Sequence, residues 1–167
     1  LAEQLVVEEV ARLERETPTP LARPQQLVMS TDGAFVQLTN GEWREVKTAT
    51  FGEFQSQWDP KSHKTVVKTN QLSYFSRVEP SETFSRHALY EWQQRGGENA
   101  RRVVAVNDGA RWIQSFIDYH CPQAIRVIDF AHAQAYVATV GKAVYGAETE
   151  AFQRWFATAS KQLGQQP

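Results

Sequence analysis

Two short apolar segments, each delivering an aspartate to the start of a helical pattern, constrain this chain more than any other feature. The first runs from Arg101 and Arg102 through Val103, Val104, Ala105, Val106 and Asn107 to Asp108 and Gly109. Val103 to Asn107 are mostly apolar and β-branched, which suits a strand buried on both faces. Trp112, Ile113, Phe116 and Ile117 then recur on one side of a helix. The second segment repeats the plan, with Ala124 to Ile128, then Asp129, then a helix carrying Ala133, Tyr136, Val137, Val140 and Val144. Strand, helix and strand this close together predict a right-handed βαβ unit with parallel strands. Both acids then emerge on one edge of the sheet, where open α/β sheets bind ligands.

Upstream, the pattern changes. Ala2 to Glu16 reads as an amphipathic helix with Leu5, Val6, Val10 and Leu13 on one face. Thr17-Pro18-Thr19-Pro20 stops it, because proline fixes φ and disfavours helix in the residue before it. Leu27 to Leu38 alternates as a strand, Asn40-Gly41 favours a tight reversal, and Trp43 to Phe51 returns. A third strand is expected at Leu72 to Val78, with the Lys-rich residues 59–70 as its long connection. Ser81 is placed to cap a helix burying Phe84, Ala88, Leu89 and Trp92, which Gly96-Gly97 ends. Gly146 closes the helix after Asp129, and Glu148 to Leu163 forms another.

The resulting order is β-β-β-α-β-α-β-α with an extra helix at each end. It predicts an α/β fold: a mixed five-stranded sheet, three antiparallel strands then two parallel, with helices on both faces. That is the order of RNase H-like folds. The expected segments are an N-terminal helix and Pro-rich linker over 1–22, the core over 23–146, and one helix of a helical insertion over 147–167.

Composition narrows the function classes. At 167 residues the chain fits one domain with a sizeable core, and 41% apolar with 22% charged residues is ordinary globular composition. No apolar run approaches membrane-spanning length and no signal-peptide pattern opens the chain. The start at Leu1 and the polar end read as a fragment of something longer. The lone Cys121 excludes an internal disulfide and a thiolate zinc site, and points to a reducing compartment. Net charge is −1, which counts mildly against nucleic-acid binding as a global property. Locally, Lys61, His63, Lys64 and Lys68 face a single Asp59 between Trp58 and Gln71. The plain alternative there is a solvated hairpin with lysines guarding its edge.

Three aspartates carry the chemistry. Asp32 interrupts the first strand, where Asp is disfavoured unless it has a task. With the first and fourth strands adjacent, Asp32 and Asp108 face each other across one strand spacing of roughly 5 Å. Carboxylates that close repel, so the pair makes sense around a cation, and magnesium suits it as a hard ion that keeps waters and takes few carboxylates. Two such ions activate water and stabilise the leaving oxygen of a phosphodiester. Asp108 and Asp129 each precede a helix, so N-capping is the competing reading for both. His132, three residues past Asp129, is ordinarily a packing or hydrogen-bonding residue. No nucleophile elbow and no Gly-rich phosphate loop is present, and Cys121 has no positioned base.

Four motifs then resemble one family. Ser30-Thr31-Asp32-Gly33-Ala34, Gly41 to Lys47, Val106-Asn107-Asp108-Gly109-Ala110-Arg111-Trp112-Ile113, and Val127-Ile128-Asp129-Phe130-Ala131-His132 are similar, in order, to the DDE transposases of bacterial insertion sequences. The likeness is to the ISKra kind, related to the Mutator-like group, and covers roughly residues 25 to 146. It implies an RNase H-like core that cuts and joins DNA using two Mg2+ or Mn2+ ions. It further implies Asp32 and Asp108 as catalytic metal ligands, with Asp129 and His132 in support. DNA, as element ends and target, is the implied partner, contacted by Arg44, Lys61, Lys64 and Lys68. A homodimer is left open, no membrane is involved, and the setting is the bacterial cytoplasm beside the nucleoid. The family's third acid, a Glu on a later helix, has no match: Glu148 and Glu150 come too early. Two other functions compete, a non-catalytic remnant or domesticated DNA-binding module and an unrelated metal-dependent nuclease. A downstream Glu in the full reading frame separates the first from the leading one.

Overall fold

The computed structural model describes residues 2–20 and 23–164. The last residues of the expected linker, 21–22, and of the expected insertion helix, 165–167, lie outside the described residues. The elements are α1 (Ala2–Arg15), β1 (Gln26–Gln37), β2 (Trp43–Asp59), β3 (Lys64–Arg77), α2 (Ser81–Gln94), β4 (Arg102–Asn107), α3 (Arg111–His120), β5 (Ile125–Ile128), α4 (Phe130–Tyr145) and α5 (Glu150–Leu163). They build an α/β fold on a five-stranded mixed sheet of order β3-β2-β1-β4-β5. β1 pairs antiparallel with β2 and parallel with β4, while β2 pairs antiparallel with β3. The element order follows the hydrophobic periods read from the sequence.

Two compact units form, Leu1–Val127 and Ile128–Pro167. In the first, alternation along each strand sends one set of side chains into a single core. Leu27 and Met29 from β1, Ala49 and Phe51 from β2, Phe75 from β3, and Val103 and Ala105 from β4 are buried together. Phe84, Ala88 and Trp92 of α2 and Ile113, Phe116 and Ile117 of α3 close over them. Aromatic rings knit the layers, with Phe51 5.7 Å from Trp92 and Phe84 5.6 Å from Phe116. Phe51, Phe84 and Phe116 are fully buried, and each such side chain contributes about 1.5–3 kcal/mol by leaving water. Arg77 of β3 and Glu9 of α1 form an ion pair, and Arg12 lies 4.9 Å over the Tyr90 ring.

In the second unit α4 and α5 pack as a helical hairpin. Gly141 is the buried residue of α4, because a side chain there would run into Trp155 and Phe152 of α5. Gly146 ends α4 at φ +84°, a backbone state glycine adopts without penalty. Thr149 caps α5 by accepting from the Phe152 amide at 3.1 Å.

Several local expectations need correction. The connection between β2 and β3 is residues 60–63 only, because 59–70 extend the two strands instead of linking them. Asp59 pairs with Lys64, and its carboxylate accepts from the Lys61 amide and the Ser62 hydroxyl, which closes a tight turn. Ser81 does not cap α2. Pro80 stands at that position and offers no side-chain cap, and Ser81 begins the helix, its carbonyl accepting from the Ser85 hydroxyl at 2.9 Å. The apolar stripe of α4 is largely exposed, with Tyr136, Val140 and Val144 each more than half accessible.

Candidate functional site

The first aspartate sits where β1 leaves the core. Along β1 the buried residues are Leu27, Met29 and Thr31, so Val28, Ser30 and Asp32 belong to the opposite face. β4 has the same phase: Val103, Ala105 and Asn107 are buried, which assigns Val104 and Val106 to the opposite face, with Asp108 one step beyond the strand. Backbone pairing between them ends at Met29 and Ala105, an offset of 76 residues. One side chain carries that register further: the Asn107 Oδ1 accepts from the Thr31 amide at 2.7 Å, at the same offset. Continued by one residue, that register would set Asp32 level with Asp108, one step past the last residue of β4. Both residues are buried at the Asn107–Thr31 bond, so it forms in a low-polarity setting where an unmade bond costs about 1–3 kcal/mol. This lock was not expected from the sequence; its only signal is a polar Asn ending an apolar strand.

Local bonds orient the two acids differently from a helix cap. Asp32 Oδ1 accepts from the Gly33 amide at 2.8 Å, and Asp108 Oδ1 accepts from the Ala110 amide at 2.8 Å. The N-cap of α3 is Ala110, with no side-chain cap, so Asp108 shapes the turn before the helix and does not cap it. Gly109 takes φ +88° between them, which lets the chain turn sharply after the strand. Asp129 behaves as the competing reading had it. It caps α4 by accepting from the Ala131 amide at 2.9 Å and the His132 amide at 3.2 Å. The His132 Nδ1 lies 3.3 Å from the same oxygen. Those bonds, the His132 amide foremost, hold the Asp129 carboxyl below the usual range. Asp129 and His132 belong to the second compact unit, and Asp32 and Asp108 to the first.

A buried polar cluster underlies the motif from Gly41 to Lys47. The Lys47 ammonium is nearly buried, 2.6 Å from Glu45, and donates to the Glu79 carbonyl at 3.1 Å. It also lies 5.5 Å from the Trp112 ring, so β2, the entry to α2 and the start of α3 meet at one cation. His87 Nδ1 is 3.1 Å from both Glu79 carboxylate oxygens. Cys121 is buried, and burial pushes its thiol up, which disfavours the thiolate that nucleophilic chemistry needs.

The four candidate DNA-contacting cations fall into two groups. Lys61, Lys64 and Lys68 lie together on the exposed end of the β2–β3 hairpin. Arg44 is at the other end of β2, up to about 50 Å away along an extended strand, and pairs with Glu42 at 3.0 Å. Among the described residues no group of three or more His, Cys, Asp or Glu side chains stands together for a metal ion, which leaves Asp32 and Asp108 as a candidate pair. Hard oxygen donors in that number suit magnesium that retains waters. Among the described residues no helix is long and apolar enough to cross a membrane. Comparison of the chain with family models, curated proteins and solved structures gave no match.

Proposed function

We propose that this chain is the catalytic core of a DNA transposase with an RNase H-like fold, acting on phosphodiester bonds through Mg2+ or Mn2+ held by Asp32 and Asp108. One observation carries the reading: the Thr31–Asn107 bond keeps the β1–β4 register two residues past the last ladder pair, and one further step along it leads to Asp32 and Asp108. An Asp in a strand, facing away from the core and not spent on a helix cap, has no structural task that explains it. When bound, the metal supplies an activated water and neutralises charge on the leaving oxygen. The chain's own part is to hold the two carboxylates on rigid strands. The Asp108–Ala110 bond and the Asp32–Gly33 bond each tie one carboxylate oxygen to the backbone of the following turn or strand.

Two acids position one ion loosely, so magnesium should bind near or above millimolar, and a third acidic ligand is required for in-line displacement. The test is a Mn2+ titration of residues 1–167, followed by relaxation of nearby amide signals, with plasmid nicking in Mg2+ and Mn2+ alongside. Asp32→Asn and Asp108→Asn should each abolish metal-dependent broadening, and residues 1–167 should not nick alone. Metal binding that survives both substitutions rules out the two-acid site. Cleavage that vanishes in both Asp32→Ala and Asp129→Ala would make Asp129 the third acid. Hydrolysis without strand joining would favour a metal-dependent nuclease. DNA binding with no metal response at all would favour a non-catalytic binding module.

A further inference from the structure

The β2–β3 hairpin outruns the sheet. β1 pairs with β2 only as far as Leu27 with Glu53, yet β2 and β3 stay paired to Asp59 and Lys64. Six steps of strand therefore project as a bare two-stranded ribbon, about 20 Å long. At its base a bulge between Phe51 and Glu53 adds a residue to β3, where Gln71 takes φ +50°. Such a bulge bends and twists the ribbon away from the sheet. A lone two-stranded ribbon is marginally stable in water, and this one leaves Trp58 and Val67 more than half exposed. Its charge is lopsided: residues 54–71 hold Lys61, Lys64 and Lys68 against Asp59, and that carboxylate is tied up in the turn.

The ribbon's two faces differ. The pairs Gln57 with Val66, Gln55 with Lys68 and Asp59 with Lys64 share one face, to which Asn70 opposite Glu53 also belongs. Amide and ammonium side chains are the ones that make paired hydrogen bonds to base edges, and the major groove admits a two-stranded ribbon. A second feature stands at the same end of the sheet. Gln26 of β1 pairs with Arg102 of β4, one step from the level of Glu53. There Gln25, Gln26, Arg101 and Arg102 line a surface cavity of about 300 Å³. Neither guanidinium has an ion-pair partner among the described residues. Two arginines and two amides around one cavity form an oxyanion seat. About two strand spacings, roughly 10 Å, separate it from the ribbon's base.

We propose that the ribbon enters the major groove of duplex DNA with its Gln55, Gln57, Lys64 and Lys68 face, while Arg101 and Arg102 hold a backbone phosphate beside it. This names the recognition surface for the DNA-processing reading above and rests on it. The footprint lies at the strand ends opposite Asp108, about 20 Å along β4, so one duplex running along the sheet reaches both. Recognition and strand cutting are then carried out by different ends of the same strands.

The experiment uses a pool of random-sequence duplexes, selection for bound sequences, and affinity measured across a salt series. Three variants accompany the parent chain: Lys64→Gln with Lys68→Gln, Arg101→Gln with Arg102→Gln, and Gln55→Ala with Gln57→Ala. All six side chains are at least partly exposed, and unchanged circular dichroism and thermal midpoint show that each variant folds. The lysine pair should lower the slope of log affinity against log salt by up to about 2, and the arginine pair, holding one phosphate, by about 1, near 0.9 per phosphate contact. Lys64→Arg with Lys68→Arg should restore it. The glutamine pair should leave the slope unchanged and cut preference for the selected sequence about tenfold. A parent chain that binds duplex DNA while all three variants match it in slope and selected sequence overturns the ribbon proposal alone. Preference for single strands over duplex overturns it too. A parent chain that binds no DNA overturns the transposase reading with it.

Discussion

The two strand–Asp–helix units start from one sequence plan and end as different objects. In the first, β4 alternates buried and half-buried residues, and α3 sinks Ile113, Phe116 and Ile117 into the core. In the second, all four residues of β5 are exposed, and α4 buries only Gly141. The aspartates diverge with them. Asp129 spends its carboxylate on two helix amides, whereas Asp108 turns the chain before a helix that starts at Ala110. Asp129 is committed to its helix start, whereas the helix after Asp108 begins without a side-chain cap. The same dipeptide position therefore carries opposite prospects, and the spacing to the first helical residue decides which.

The sharpest break of that comparison is packing. Phe116→Ala in α3 should cost about 3–5 kcal/mol of unfolding free energy, because it leaves a cavity among fully buried rings. Val140→Ala, on an exposed position of α4, should stay within about 0.5 kcal/mol. Denaturant unfolding of the two variants gives both values, and equal losses would erase the distinction.

Protonation comes next. Burial pushes His120, at the end of α3, down to about 4, partly opposed by its bond to the Phe116 carbonyl. Above its ordinary value near 6.5 both folded and unfolded imidazoles are neutral, so nothing changes. As pH falls from there toward 4 the unfolded chain takes up a proton that the fold refuses. Stability should drop by about 3 kcal/mol over that window, and His120→Gln should flatten the drop in a pH series of unfolding midpoints.

A smaller effect separates the acids themselves. Asp108→Asn should weaken Mn2+ binding at least tenfold while Asp129→Asn leaves it unaltered, read from relaxation of amide signals. Smallest of all is the cap. Asp129→Ala should speed hydrogen exchange at the Ala131 and His132 amides, which lose their acceptor, and leave the β4 amides untouched.

The fold was largely readable because alternation and helical period mark β1, the start of β2, β4 and α3 directly. Asn40-Gly41 placed its turn correctly, with Gly41 at φ +84°. What escaped was whatever depended on partners. The ribbon strands bury no apolar face, so residues 59–70 looked like a connection, although Asp59 and Ser62 build the turn that pairs them. The apolar stripe of α4 was legible as a stripe, but periodicity says that a helix has a face and not what covers it. Asp32 and Asp108 were identifiable as candidates from their strand positions. The Asn107 side chain that extends their register was not, since a side chain standing in for a ladder bond leaves no periodic trace.

The 76-residue separation between Thr31 and Asn107 also sets an order of events in folding. The β1–β2 and β2–β3 hairpins close short loops and form early, whereas joining β4 to β1 must first overcome the entropy of a far longer loop. The proposed pair of aspartates would be brought together only in that late step. An intermediate with both hairpins formed would lack the Thr31–Asn107 bond, so the proposed metal site would assemble only once the long-range topology is complete.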